Sequence, residues 1–142
     1  MRTTTPMLAA ALTMVACLPT TAQAADTTLT LACQGTTELI ATTKKAEPIS
    51  MGIIVDFTNH TVHGFGYPGS SGQLDFPVKI TGMNEVTVAF HGSNQTGASI
   101  TGSLDRVTGD VEARTQVSDL KTGDLLSILR YALKCRPTQR IF

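Results

Sequence analysis

Leu125-Leu126-Ser127-Ile128-Leu129-Arg130-Tyr131-Ala132-Leu133-Lys134-Cys135 is the stretch on which the fold turns, because it fits two periods. Read at 3.6 residues per turn, Leu125, Ile128, Leu129 and Ala132 line one face of a helix over Asp124 to Leu133. Read at a period of two, Leu129, Tyr131, Leu133 and Cys135 share a face, and Arg130, Ala132 and Lys134 share the other. The rest of the chain favours the strand. Short β-type runs recur, separated by Gly, Asn, Asp and Pro, with no heptad, internal repeat or low-complexity tract.

Working outward from that strand, Asp110 to Val117 and Ser99 to Asp105 bracket Arg106-Val107-Thr108-Gly109, a hairpin connection with Gly where a positive φ is expected. Glu85 to Gly92 places Val86, Val88 and Phe90 inward, and pairs with Phe76 to Thr81 through Gly82-Met83-Asn84. Ile49 to Phe57 alternates Met51, Ile53, Val55 and Phe57 against polar neighbours. It turns at Thr58-Asn59-His60, with Asn59 suited to left-handed backbone, into Thr61 to Phe65. Gly66 to Gly72 reads as a loop, and so does Gly35 to Pro48, with room for a short strand at Glu38-Leu39-Ile40. Thr27 to Cys33 is the first strand, its apolar face being Leu29, Leu31 and Cys33.

Cys33 and Cys135 therefore both lie on apolar faces, one on the first strand and one on the last. A bridge between them closes about eight antiparallel strands into a small barrel or sandwich and removes the exposed edges that invite aggregation. The compartment supports the bridge. Arg2, an apolar run of thirteen residues from Pro6 to Leu18, and Ala22-Gln23-Ala24 follow the order of a secretory signal, with cleavage before Ala25. Thirteen residues are too few to span about 30 Å of hydrocarbon, so no transmembrane anchor is expected. Met14-Val15-Ala16-Cys17 is an imperfect lipobox and leaves a lipid anchor on Cys17 as the competing reading. With residues 1–24 removed, residues 25–142 form one β domain with two cysteines. In an oxidising compartment these default to a single disulfide.

Removing the signal takes Arg2 alone, leaving ten Lys+Arg against eleven Asp+Glu. The linear sequence shows no basic stripe for nucleic acid and no polybasic cluster for an anionic membrane. Candidate chemistry is sparse. His60, His63 and His91 show no recurring metal spacing, so no metal is assigned. Gly69-Ser70-Ser71-Gly72 lacks the strand–turn–helix setting of a nucleophile. Asp105 and Asp110 flank a hairpin and read as turn residues, not as a glycosidase pair, in a chain with no Trp. Phe65, Tyr67 and Pro68, in a Gly-rich stretch, with His63 and His91, are the candidate ligand or partner contacts; aromatics between glycines read more readily as plugs at a barrel end. The tail Arg136 to Phe142 is expected to dock against the barrel.

Glu47 to Phe57, Leu104 to Ala113 and Tyr131 to Pro137 resemble small exported proteins of proteobacteria, which implies a small secreted β protein and no particular activity. More loosely, Cys33-Gln34-Gly35 is similar to the Cys-x-x-Gly of the periplasmic C-type lysozyme inhibitors, one residue short, and that family's Trp and Ser-Gly-x-Tyr have no counterpart. The expectation is a non-enzymatic β domain of the periplasm or the cell exterior, free of cofactors, acting as a structural or binding module for a protein or small ligand. Two alternatives stand beside it. One is an inhibitor of a cell-wall hydrolase such as lysozyme, binding through Gly64 to Gly72. The other is a lipocalin-like carrier with Phe65, Tyr67 and Phe90 lining a cavity.

Overall fold

A computed structural model describes residues 27–40, 45–68 and 70–138. The signal segment, Cys17 and the terminal Ile141-Phe142 lie outside the described residues. Eight strands follow in order: β1 (Thr28–Leu39), β2 (Glu47–Asp56), β3 (Thr61–His63), β4 (Val78–Met83), β5 (Thr87–Ser93), β6 (Ala98–Asp105), β7 (Asp110–Ser118) and β8 (Leu125–Pro137). Each pairs antiparallel with its sequence neighbour, and β8 returns to β1, so the sheet is a closed barrel and not a sandwich. Among the described residues there is no helix, and β8 takes the two-residue period.

The alternation places apolar residues inside. On β7, Val111, Ala113 and Thr115 are buried while Asp110, Glu112 and Arg114 are exposed. This is the reverse of a membrane-spanning barrel, whose outward band is apolar. The centre is filled: the Phe65 ring stacks on Phe90 with centroids 5.3 Å apart and meets Tyr131 edge-on at 5.2 Å. Eight strands enclose a space that side chains can just occupy, and this trio occupies it.

Following cross-strand partners around the wall from Thr28 leads through Asp56, Thr61, Lys79, His91, Thr101, Arg114 and Arg130. The path returns to β1 at Glu38, ten residues beyond its start. That stagger tilts the strands, which is how a sheet of this size closes. It also sets Cys33 directly opposite Cys135, bonded through their sulfurs with Cα atoms 4.0 Å apart. The Cys135 amide donates to Gly109 on the β7 side, so toward β1 this is a narrow, non-hydrogen-bonded pair whose side chains lie closest.

Five hairpin turns open on an Asp or Asn whose Oδ1 accepts backbone amides further on. Asp56 takes Thr58 and Asn59, Asn84 takes Val86 and Thr87, and Asn94 takes Thr96 and Ala98. Asp105 takes Val107 and Thr108, and Asp119 takes Lys121 and Thr122. Gly109 has the expected positive φ, 76°.

Four expectations are corrected. The loop from Gly35 is strand as far as Leu39, because β8 is long enough to pair it from Leu133 to Leu129. The left-handed residue of the Phe57–His60 turn is His60, φ 54°, not Asn59; the Asn59 side chain instead donates to Asp56. Val86 is 47 % exposed, since the Asn84 turn lifts it out of the ladder before β5 begins. β3 ends at His63 instead of reaching Phe65, and the chain beyond it folds over the barrel end.

Candidate functional site

Register assembles on the outer wall what the sequence keeps apart. Lys79 on β4 faces His91 on β5, His91 faces Thr101 on β6, Thr101 faces Arg114 on β7, and Arg114 faces Arg130 on β8. All five are exposed. Neighbouring strands lie about 4.8 Å apart, so Lys79 to Arg130 covers about 19 Å of wall. The chain has no basic run, yet four of the five strands in this row contribute a Lys, His or Arg.

At its β7–β8 end stands the pair Arg114 and Arg130. Like charges directly opposite each other destabilise a sheet. Neither guanidinium forms an ion pair among the described residues, although Glu38 faces Arg130 from β1; the ion pair present joins Lys134 to Asp110 at 2.8 Å. Guanidinium groups carried on opposed positions of neighbouring strands can offer N–H donors to one carboxylate or phosphate.

The pair lies in a cleft of about 920 Å³ on the β6–β7–β8–β1 face, bordered also by Thr36, Thr101, Ser103 and Gln116. Glu38, opposite Arg130, and Glu112 line it too. Small residues make the floor low. At Gly102 a Cβ would meet the Phe90 ring at 2.5 Å, so the plug packs directly beneath the wall. The cleft is a polar, outward-facing surface over a rigid core.

The other sequence candidates fall elsewhere. Phe65 and Phe90, each 2 % exposed, belong to the packed core of the barrel. Tyr67 is half-buried, donates its hydroxyl to Asp75 and accepts from Asn94 Nδ2 at 3.3 Å; its ring meets Phe76 edge-on at 6.2 Å. The bond to Asp75 raises the Tyr67 pKa above the usual phenol value. Pro68 follows, half-buried. The stretch is thus a braced loop, tied further by Gly66 pairing with Gln73 and by the Tyr67 amide donating to Gly72. Beneath it a cleft of about 550 Å³ opens beside Leu39, Ile49, Met51 and Leu129.

His63, on β3, is exposed and bonded to Thr61 at 3.1 Å; His91 is bonded to Thr101 at 3.1 Å. They sit two strands apart and do not converge, but His91 belongs to the basic row. Among the described residues no three His, Cys, Asp or Glu side chains are placed to share a metal ion. Asp105 and Asp110 are turn and ion-pair residues, both held below the usual carboxylate range. The causes are backbone amides at Asp105 and the Lys134 ammonium at Asp110. Arg114, Arg130 and Thr101 carried no local signal, because only cross-strand register unites positions so far apart in the chain. Comparison with protein-family models, with curated proteins and with solved structures finds no match.

Proposed function

We propose that this chain is an exported, non-enzymatic binding domain that recognises its ligand on the outer wall of a filled barrel. The observation that carries the reading is the occupied centre. Phe65, Phe90 and Tyr131 pack together in the barrel where cargo would lie, whereas the wall above them holds a polar cleft with two arginines that make no ion pair among the described residues. A lipocalin-type carrier needs a cavity where this plug stands. Export is supported by the signal-like residues 1–24 and by the disulfide, which persists in oxidising compartments.

The test is amide chemical-shift mapping of the 15N-labelled protein against neutral sugars, acidic sugars, amino acids, short peptides and fatty acids. Saturable shifts centred on Thr101, Arg114 and Arg130 support wall recognition. Fatty-acid shifts reaching Phe65 and Phe90 overturn it in favour of a carrier, and turnover of any probe overturns the non-enzymatic reading.

A second reading, inhibition of a cell-wall hydrolase, is favoured by the bracing of the loop at residues 64–77. The Tyr67 hydroxyl, bonded to Asp75 and Asn94, ties residues 67 and 75 to the β5–β6 turn, and a pre-organised segment binds with little ordering cost. Lysozyme activity assayed with micromolar protein decides it: undiminished turnover sinks the inhibitor.

A further inference from the structure

We propose that the outer-wall cleft binds an acidic saccharide chain, its oxyanions held by Arg114 and Arg130 and, along the same row, by His91 and Lys79. The inference rests on the wall being the recognition surface and adds the chemistry of what it recognises.

The charge comes first. Arg114 and Arg130 face each other across β7 and β8, and among the described residues neither makes an ion pair, although Glu38 stands opposite Arg130. The like-charge pair itself is unfavourable to the sheet until an anion lies between its members. A guanidinium fork matches the two oxygens of a carboxylate or the oxygens of a phosphate. The row then continues through Thr101 and His91, a hydroxyl and an imidazole, to the ammonium of Lys79, so a ligand with repeated acidic groups meets polar groups and a further cation along it.

The surroundings narrow the ligand. Thr36, Thr101, Ser103 and Gln116 border the same cleft and supply donors and acceptors suited to sugar hydroxyls. Its aromatic lining residue, Tyr131, is buried, with its hydroxyl engaged at Gly66, so nucleobases find no stacking platform. Glu38 and Glu112, which line the same cleft, repel an anion whose charges are closely spaced. A saccharide with one carboxylate per residue sets fewer charges against them than a dense phosphate rod does.

The experiment titrates the 15N-labelled protein with oligogalacturonate and, separately, with polyphosphate. The expected result is saturable shifts at Thr101, Ser103, Arg114, Arg130 and Ala132 with oligogalacturonate, weakening at least tenfold from 50 to 300 mM NaCl. The double variant R114A/R130A should lose at least tenfold in affinity, and R114K/R130K should recover part of it; both side chains are exposed, so the fold survives. Polyphosphate binding with oligogalacturonate silent overturns the saccharide assignment. Unchanged affinity in R114A/R130A, or no binding of either probe, overturns the inference and leaves wall recognition to the wider ligand panel. Shifts confined to residues 64–77 overturn both.

Discussion

The hydroxyl of Tyr131 accepts a hydrogen bond from the Gly66 amide and donates one to the Gly66 carbonyl, both at 3.2 Å. One side chain on the last strand thus satisfies both backbone groups of a residue 65 positions earlier and holds the 64–77 loop over the barrel end. Burial pushes the Tyr131 phenol pKa up, which keeps the hydroxyl protonated and able to donate. Tyr131→Phe preserves the edge contact with Phe65 but leaves both Gly66 groups without that partner. The expected loss is about 1–2 kcal/mol, read as a lower urea midpoint at unchanged slope. A stability equal to wild type would show that solvent replaces the bond.

Gly102 and Phe90 make a second test of the plug. A methyl at Gly102 collides with the Phe90 ring and with the Glu112 carbonyl at 2.7 Å, neither of which can move freely in a closed barrel. Gly102→Ala should therefore destabilise by about 1–3 kcal/mol through overpacking. Phe90→Ala, which empties the centre, should cost about 3–5 kcal/mol. Denaturant unfolding of the two variants checks both signs.

The Cys33–Cys135 bond spans a sequence separation of 102 and clamps a seam already paired from Leu31 to Leu39 against Pro137 to Leu129. Reduction should lower stability by about 2–4 kcal/mol, below the loop-entropy ceiling of about 4.7 kcal/mol, while the barrel stays folded. Near-ultraviolet circular dichroism in reductant reads this directly. A chain unfolded at 25 °C would mean that the seam depends on its bridge.

Asp56 and Asp105 have carboxyls held below the usual range, chiefly by backbone amides of their turns. A depressed folded pKa means that their stabilisation is complete above the unfolded value of about 3.9 and is lost as pH falls through the folded value. The melting temperature should accordingly drop on acidification below about pH 4. Asp105→Asn, which keeps an acceptor oxygen but does not titrate, should flatten that decline; an identical slope in the variant would remove Asp105 as a contributor.

If Arg114 and Arg130 face each other for the sake of a ligand, the fold bears a cost. Arg114→Thr should raise stability by about 0.2–1 kcal/mol at low ionic strength, and the gain should shrink as salt screens the pair. Melting temperatures at 10 and 300 mM NaCl measure it. A destabilised variant would show that the arginine stem packs on the wall and outweighs the repulsion.

Much of the barrel was legible because a strand writes its faces into adjacent residues. Leu129, Tyr131, Leu133 and Cys135 alternate inward as read, and Asp105 is the turn residue that its place before Arg106-Val107-Thr108-Gly109 indicates. The errors lay where partners intervene. Gly35 to Leu39 looks like loop alone and becomes strand because β8 runs alongside it. Val86 has the right parity for the core, but the Asn84 turn places it in solvent.

By itself the sequence determined the all-β class, the strand faces and a disulfide between the first and last strands, since each depends on local period or on residue type. The tertiary structure alone decided that the sheet closes as a barrel, that Phe65, Phe90 and Tyr131 fill it, and that Lys79, His91, Arg114 and Arg130 stand in one row. The physical reason is register. A shift of one residue in any pairing turns a strand's outward side chains inward, and which residues oppose one another is set by the stagger of the whole closed sheet.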